Sequence, residues 1–293
     1  MPEKYTRREH YVPELYLINF VDSDDRLWVY NKKEHRIFRC GLKDICVQKD
    51  LYETKWQTEN KFQGEYLLRN HLENRLCEKE GEYATMLRNL LMRCQNGWNG
   101  MDLHLEEKEQ NVMFSFVANL YCRHPWYIAH QTEEVRKIDC ETVPELAPFR
   151  ELIELFGMGD IGTYVEAATK IATVDDALEA GPAAEAKKQL SQMEYCILAS
   201  DHIPFITSDF PLLCGFANTE ETVFTTVHFP FHPRFSVAFF DPERHSQLHK
   251  WRNQLRFVAD EFVIKLNKQF LNQAELSEYL IAHNESDLTF CVQ

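Results

Sequence analysis

From about residue 62 to residue 190 the apolar positions recur every three to four residues, which predicts helices along that whole stretch. "EYLLRNHLENRLCEKE", "GEYATMLRNLLMRC", "EKEQNVMFSFVANLYC", "PFRELIELF", "TYVEAATKIA" and "AAEAKKQLSQM" all show it. Outside that stretch the pattern changes. "RLWVY" (26–30) and "HRIFRC" (35–40) flank the polar "NKKE" and read as a β-hairpin. Strand character returns in "YCILAS" (195–200), "IPFITS" (203–208), "TVFTTVHF" (222–229) and "FSVAFF" (235–240). A late helix, "RFVADEFVIKLNKQFL" (256–271), precedes a last strand, "EYLIAH" (278–283). Strands at both ends with helices between them predict an α+β fold. In it the N- and C-terminal segments build one mixed sheet, and residues 62–190 form a helical insertion within a single domain between β-bearing ends 1–61 and 191–293. "VDDALEAGPAAEA" (174–186) has the composition of a short linker.

"REHYVPELYLINF" (8–20) predicts a short helix with a fixed entry. Pro13 suits the first helical position, where a missing N–H costs nothing, and it keeps Val12 extended. Tyr11 and Tyr16 then stand where a hydrophobic staple would join them. A helix this short does not hold alone in water and must dock its Tyr16, Leu17 and Phe20 stripe.

Composition narrows the function classes. The formal charge of −14 argues against a general nucleic-acid binder, although a local cationic cleft stays compatible with it. Only 10 glycines leave little room for glycine-rich phosphate loops. The nine cysteines include no C-x-x-C pair, and the first residues carry no apolar signal core. Free thiols in a reducing cytoplasm are the expectation. No apolar run approaches the ~20 residues that span a bilayer, so no membrane partner is expected.

"HYVPELYLINF" resembles the signature of the uncharacterised family catalogued as domain of unknown function 4238. "KDLYET" (49–54), "HLENRLCEKEGEYATMLRNL" (71–90), "FVANLYCRHP" (116–125), "PFITSDFPLL" (204–213) and "VIKLN" (263–267) are similar to further segments of that family, in order. Ile18 and Phe210 depart from it, at places where many relatives carry arginine and asparagine. The resemblance implies no known activity.

Candidate chemistry therefore rests on the residues. His10, ahead of a helix start, is predicted to stay neutral and able to act as a base. Glu73 and Glu80 share a helix face about 10 Å apart, too far to share a proton. Arg123 offers a planar fork for a carboxylate or an anion. Asp209 is presented beside Ser208 at a strand end, stiffened by Pro211. Tyr11, Tyr52, Glu73, Ser208 and Asn267 are the expected substrate contacts.

Three other patterns are weaker. Arg123 and His130 fit the loose R-x(4–6)-H spacing of HEPN ribonucleases, but Pro125 would disturb the helix such a pair needs. "GMGDIG" (157–162) satisfies G-x-G-x-x-G after a helix, where a dinucleotide fold requires a strand, so Gly157 reads better as a helix C-cap. His228 and His232 would lie about 13 Å apart on a strand, too far for one zinc without a sharp turn.

The sharpest expectation gathers His10, Glu80, Arg123 and Asp209 in one pocket. They would hydrolyse a phosphodiester or nucleotide there, with Mg²⁺ as the metal their carboxylates would hold. By analogy alone such a protein would be a toxin or phage-defence effector. The rival expectation is a non-catalytic sensor or interaction module in which the same residues form a buried structural network. An open cleft around the four favours the first; burial with mutual hydrogen bonds favours the second.

Overall fold

A computed structural model describes residues 7–56, 65–140, 142–218, 220, 222–273 and 275–292. Its strands are β1 (Arg8–His10), β2 (Leu27–Asn31), β3 (Arg36–Cys40), β4 (Val47–Lys49), β5 (Thr54–Lys55), β6 (Tyr66–Leu67), β7 (Glu194–Ala199), β8 (Thr207–Ser208), β9 (Leu213–Phe216), β10 (Phe224–His232), β11 (Phe235–Phe240), β12 (Leu255–Phe257) and β13 (Tyr279–Ala282). Its helices are α1 (Glu14–Leu17), α2 (His71–Gln95), α3 (Glu107–Cys122), α4 (Pro125–Arg136), α5 (Ala147–Phe156), α6 (Ile161–Val174), α7 (Pro182–Gln192), α8 (Asp260–Asn272) and α9 (Glu285–Val292). The fold is α+β.

The terminal segments do meet in a sheet, but it is one of two large ones. Strands β3-β2-β13-β8 form an antiparallel four-stranded sheet from both ends of the chain. Strands β12-β7-β11-β10-β9 form a five-stranded sheet that is wholly C-terminal and mixed, β12 running parallel to β7. β11, "FSVAFF", is buried at all six positions, so it lies at the centre with both faces covered. α3 packs there through Phe114 on Phe239 and Phe116 on Phe229. Every residue from Met113 to Leu120 is buried, so α3 runs through the interior rather than along the surface.

Several boundaries move for physical reasons. Residues 71–95 are one continuous helix through Gly81, not two. Tyr66 and Leu67, expected to be helical, instead pair with β5, and residues 57–64 lie outside the described residues. Of "IPFITS" only Thr207 and Ser208 are strand. The late helix starts at Asp260 because Leu255–Phe257 joins the five-stranded sheet. Pro13 is the N-cap of α1 rather than its first helical residue. Tyr16 turns into the core, stacked on Phe229 and donating its hydroxyl to Pro230 O at 2.6 Å, while Tyr11 sets its ring edge-on to His124. The expected staple is therefore replaced by two separate contacts.

The linker-like stretch is pinned. Asp175, after α6, takes Arg75 and Lys79, and Asp176 takes Lys79 and Lys187, all within 2.8 Å. No disulfide joins the described cysteines. Among the described residues no helix is long and apolar enough to cross a membrane.

Candidate functional site

The helix α3 delivers Arg123 to the interior at its C-cap, 1% exposed. Its Nε donates to the Tyr52 hydroxyl at 3.0 Å and its Nη1 to Asn119 Oδ1 at 3.3 Å and Glu80 Oε1 at 3.4 Å. Nη2 donates to the backbone carbonyl of His10. Tyr52 in turn donates to that same carbonyl at 3.0 Å. Arg123 thus clamps the main chain of the "REHYVP" motif to α2, and its donors are committed inside the protein. Glu73, one turn pair earlier on α2, is half-buried; burial raises its carboxyl and the Arg123 charge opposes that rise. The His10 ring lies at the edge of this network, donating from Nε2 to Leu42 O at 3.2 Å, with Glu14 at 3.7 Å. Burial holds it below the ordinary histidine value.

Asp209 belongs to a different network. It is 2% exposed, and its two oxygens accept the backbone N–H groups of Tyr279 at 3.1 Å and Glu278 at 3.2 Å. It therefore ties the turn after β8 to the start of β13. Burial raises its carboxyl, although Ser277 and those amides favour the charged form. Ser208, fully buried, donates to Phe210 O at 2.5 Å and accepts Phe210 N–H at 3.1 Å. Asn267 bridges Pro204 O at 2.8 Å and Ile206 N at 3.2 Å, holding the segment that the pattern marked as strand. Tyr11 is buried beside His124 with its N–H on Cys46 O at 3.0 Å.

Among the described residues His10 and Asp209 share no hydrogen-bond partner, and Arg123 and Asp209 are both buried. His10, Glu80 and Arg123 fall in one network and Asp209 in another.

A cleft of about 950 Å³ opens elsewhere, between residues 49–56 with Tyr66 on one side and helices α4 and α6 on the other. From "KDLYETK" (49–55), Lys49, Asp50, Glu53 and Lys55 line the cleft, while Tyr52 turns into the Arg123 network. On the far wall, the buried Glu166 holds Arg136 through both its oxygens at 2.9 Å and Lys170 at 3.4 Å. Lys170 also donates to Glu53 O at 2.5 Å. Ile161 and Gly162 line the cleft at the N-terminus of the 14-residue α6, whose cap Asp160 accepts Thr163 N–H at 2.7 Å. A helix N-terminus and positioned cations are the elements of an anion site. Trp56 and Tyr66 add aromatic surface, Trp56 edge-on to Tyr164 at 5.6 Å.

Behind Glu53 lies Glu9. It is completely buried, accepts Tyr52 N–H at 2.9 Å on Oε2, and has no donor on Oε1 among the described residues. Burial and the neighbouring carboxylates of Glu53, Glu73 and Asp50 push it up to about 8. Glu53, which accepts Asn70 N–H at 2.8 Å, is likewise raised by burial.

No local pattern in the sequence marks this cleft as a whole. Its charged groups come partly from the strand-and-turn stretch 49–55 and partly from α4 and α6, where the spacing of Glu166 and Lys170 looks like a solvated i, i+4 pair. One signal was present: "GMGDIG" forms part of the wall through Asp160, Ile161 and Gly162. It follows α5 rather than a strand, and Gly157 caps that helix at φ 61, as its context implied.

The remaining patterns separate. Arg123 follows α3 while His130 lies within α4, which starts at Pro125; His130 stacks on Trp126 at the rim of an aromatic cavity of about 400 Å³. Phe210 lines that cavity, and Ile18 is exposed. His232 accepts Arg234 N–H at 3.1 Å, and burial lowers His228 and His232 alike to about 4. Among the described residues no three His, Cys, Asp or Glu side chains are grouped to hold a metal ion.

These features define an α+β protein whose signature residues knit its core beside a charged cleft. The family model described as "Protein of unknown function (DUF4238)" matches residues 8–286, and the chain belongs to that family. No curated protein and no solved structure matches it.

Proposed function

We propose that the protein binds a nucleotide, or another phosphodiester-bearing small molecule, in the cleft between residues 49–56, Tyr66 and helices α4 and α6, and hydrolyses it there. The observation that carries this reading is the convergence of Lys55, Arg136 and Lys170 with the N-terminus of α6 on one open space. Glu166 already holds two of those cations in place, so a phosphate meets charges whose positions are set before binding. Trp56 and Tyr66 offer faces on which a base can stack. Glu53, on the cleft wall, is the carboxyl group available for proton transfer.

Isothermal titration with adenosine 5′-monophosphate, inorganic phosphate and adenosine tests binding, and bis(p-nitrophenyl) phosphate tests hydrolysis. The monophosphate should bind more tightly than adenosine. Lys55→Met, at an exposed position, and Lys170→Met should each weaken it about tenfold, near 1.4 kcal/mol. Undetectable binding of both phosphate-bearing probes overturns the reading.

The structural role of the signature residues is favoured by a separate observation: Arg123, Asp209, Ser208 and Asn267 spend their polar groups on backbone and side chains of the protein itself. In this second reading they hold the scaffold that carries the cleft.

A further inference from the structure

The aromatic cavity of about 400 Å³ falls within the range of small-molecule sites, about 300–1,000 Å³, and shares no lining residue with the cleft. It forms where the end of α3, the first turns of α4, α7, the β9–β10 pair and the C-cap of α8 meet. Tyr121 joins its rings, with centroids 5.0 Å from Tyr127, 5.2 Å from Phe224 and 5.9 Å from Phe210. At the rim Trp126 is stacked on His130 at 5.5 Å, with the planes 4° apart, and stays 48% exposed.

The polar groups of the lining select a kind of guest. Among the described lining residues there is no lysine or arginine, while Glu185 and Glu220 are both present. Lys188 stands 3.8 Å from Glu185 but lies outside the lining. The amide of Gln189 is used at both ends: Nε2 donates to Thr222 O at 2.8 Å, and Oε1 accepts Phe224 N–H at 3.0 Å. Gln273 is different. Its Nε2 donates to Leu212 O at 3.0 Å, which fixes the orientation of the amide. Its Oε1 is buried and meets no donor among the described residues. A buried acceptor without a donor costs free energy, and a ligand N–H would remove that cost. Aromatic faces attract an ammonium group, most strongly when it is out of water. The carboxylates favour the same charge, and so does the net charge of −14. An anion would find no cation in this lining.

We infer that this cavity binds a protonated amine carried on a small aromatic or apolar body. The guest is recognised through the aromatic faces, the Gln273 Oε1 acceptor and the carboxylates of Glu185 and Glu220. This site and the phosphate-binding cleft are independent, and neither reading rests on the other.

The test is isothermal titration of the full chain at neutral pH with four probes of similar body. They are 2-phenylethylamine, trimethyl(2-phenylethyl)ammonium, the neutral 2-phenylethanol and the anionic 3-phenylpropionate. The two cations should bind with Kd below about 1 mM, the alcohol at least about tenfold more weakly, and the carboxylate without measurable heat. Trp126→Ala, at an exposed position, should weaken both cations about fivefold. Gln273→Met should weaken the amine, which has N–H donors, and leave the trimethylammonium probe unchanged. Cations that bind no more tightly than the alcohol overturn the inference, and this comparison needs only the wild-type protein. Cation affinities unchanged in Trp126→Ala place the amine elsewhere and overturn it too. An amine affinity unchanged in Gln273→Met overturns the recognition through its Oε1.

Discussion

Arg123, in a segment similar to the family's, spends its donors inside the protein. Its guanidinium is buried and spread over Tyr52, Asn119, Glu80 and the His10 carbonyl. Removing it leaves the His10 carbonyl with Tyr52 as its one remaining side-chain donor, the Tyr52 oxygen without the Arg123 N–H, and Glu80 without this cation. Arg123→Met should therefore cost about 3–5 kcal/mol of stability, read from urea unfolding, because one partner of a buried charged network is deleted. Arg123→Lys should recover only part of that, since a single ammonium cannot reproduce the fork. A variant of near wild-type stability that fails only to bind nucleotide would show that the guanidinium serves the ligand instead. The sequence made these residues conspicuous but gave no measure of exposure. His10 and Asp209 have the chemistry of catalysts, and only their hydrogen-bond partners reveal Asp209 as a brace between β8 and β13. Glu9 was legible only as the neighbour of a histidine.

At the scale of elements, periodicity located the helices α3, α5, α6 and α7 and the β2–β3 hairpin, because each buries one face or is buried on all sides. It failed where partners far along the chain decide. Residues 255–257 look helical by spacing, yet the open edge of β7 takes them as a strand. Residues 203–206 look like a strand, yet their hydrogen bonds go to Asn267, Pro233 O and Ser200 rather than to a neighbouring strand. Glycines make the turn between α6 and α7 testable. Gly181 has φ +111, and a Cβ there would come within 2.4 Å of Ala172 O, so Gly181→Ala should destabilise by more than about 1 kcal/mol. Gly81, in mid-helix with nothing within 4 Å of an added Cβ, should gain about 0.5–1 kcal/mol on replacement by alanine. Urea midpoints that move in the same direction for both variants contradict this placement of the two glycines.

Across the whole molecule, the two large sheets and α3 form the framework, and the cleft opens where β5, β6, α4 and α6 approach. The α+β class was legible because strand-like and helix-like periods occupy separate stretches of the chain. The cleft was not, because it is assembled from residues 49 to 170 that share no local pattern. The cleft mixes both signs: Lys49, Lys55, Arg136 and Lys170 line it together with Asp50, Glu53, Asp139, Asp160 and Glu166, in a chain whose formal charge is −14. On the proposed reading, a phosphate would have to be met by the cations of this mixed lining rather than by a general positive field. The most direct measurement is a crystal structure with adenosine 5′-monophosphate bound. Its phosphate should sit at the N-terminus of α6 within hydrogen-bond reach of Lys170 or Arg136. A phosphate held instead on His10 and Arg123, with the cleft beside α6 empty, would contradict the account.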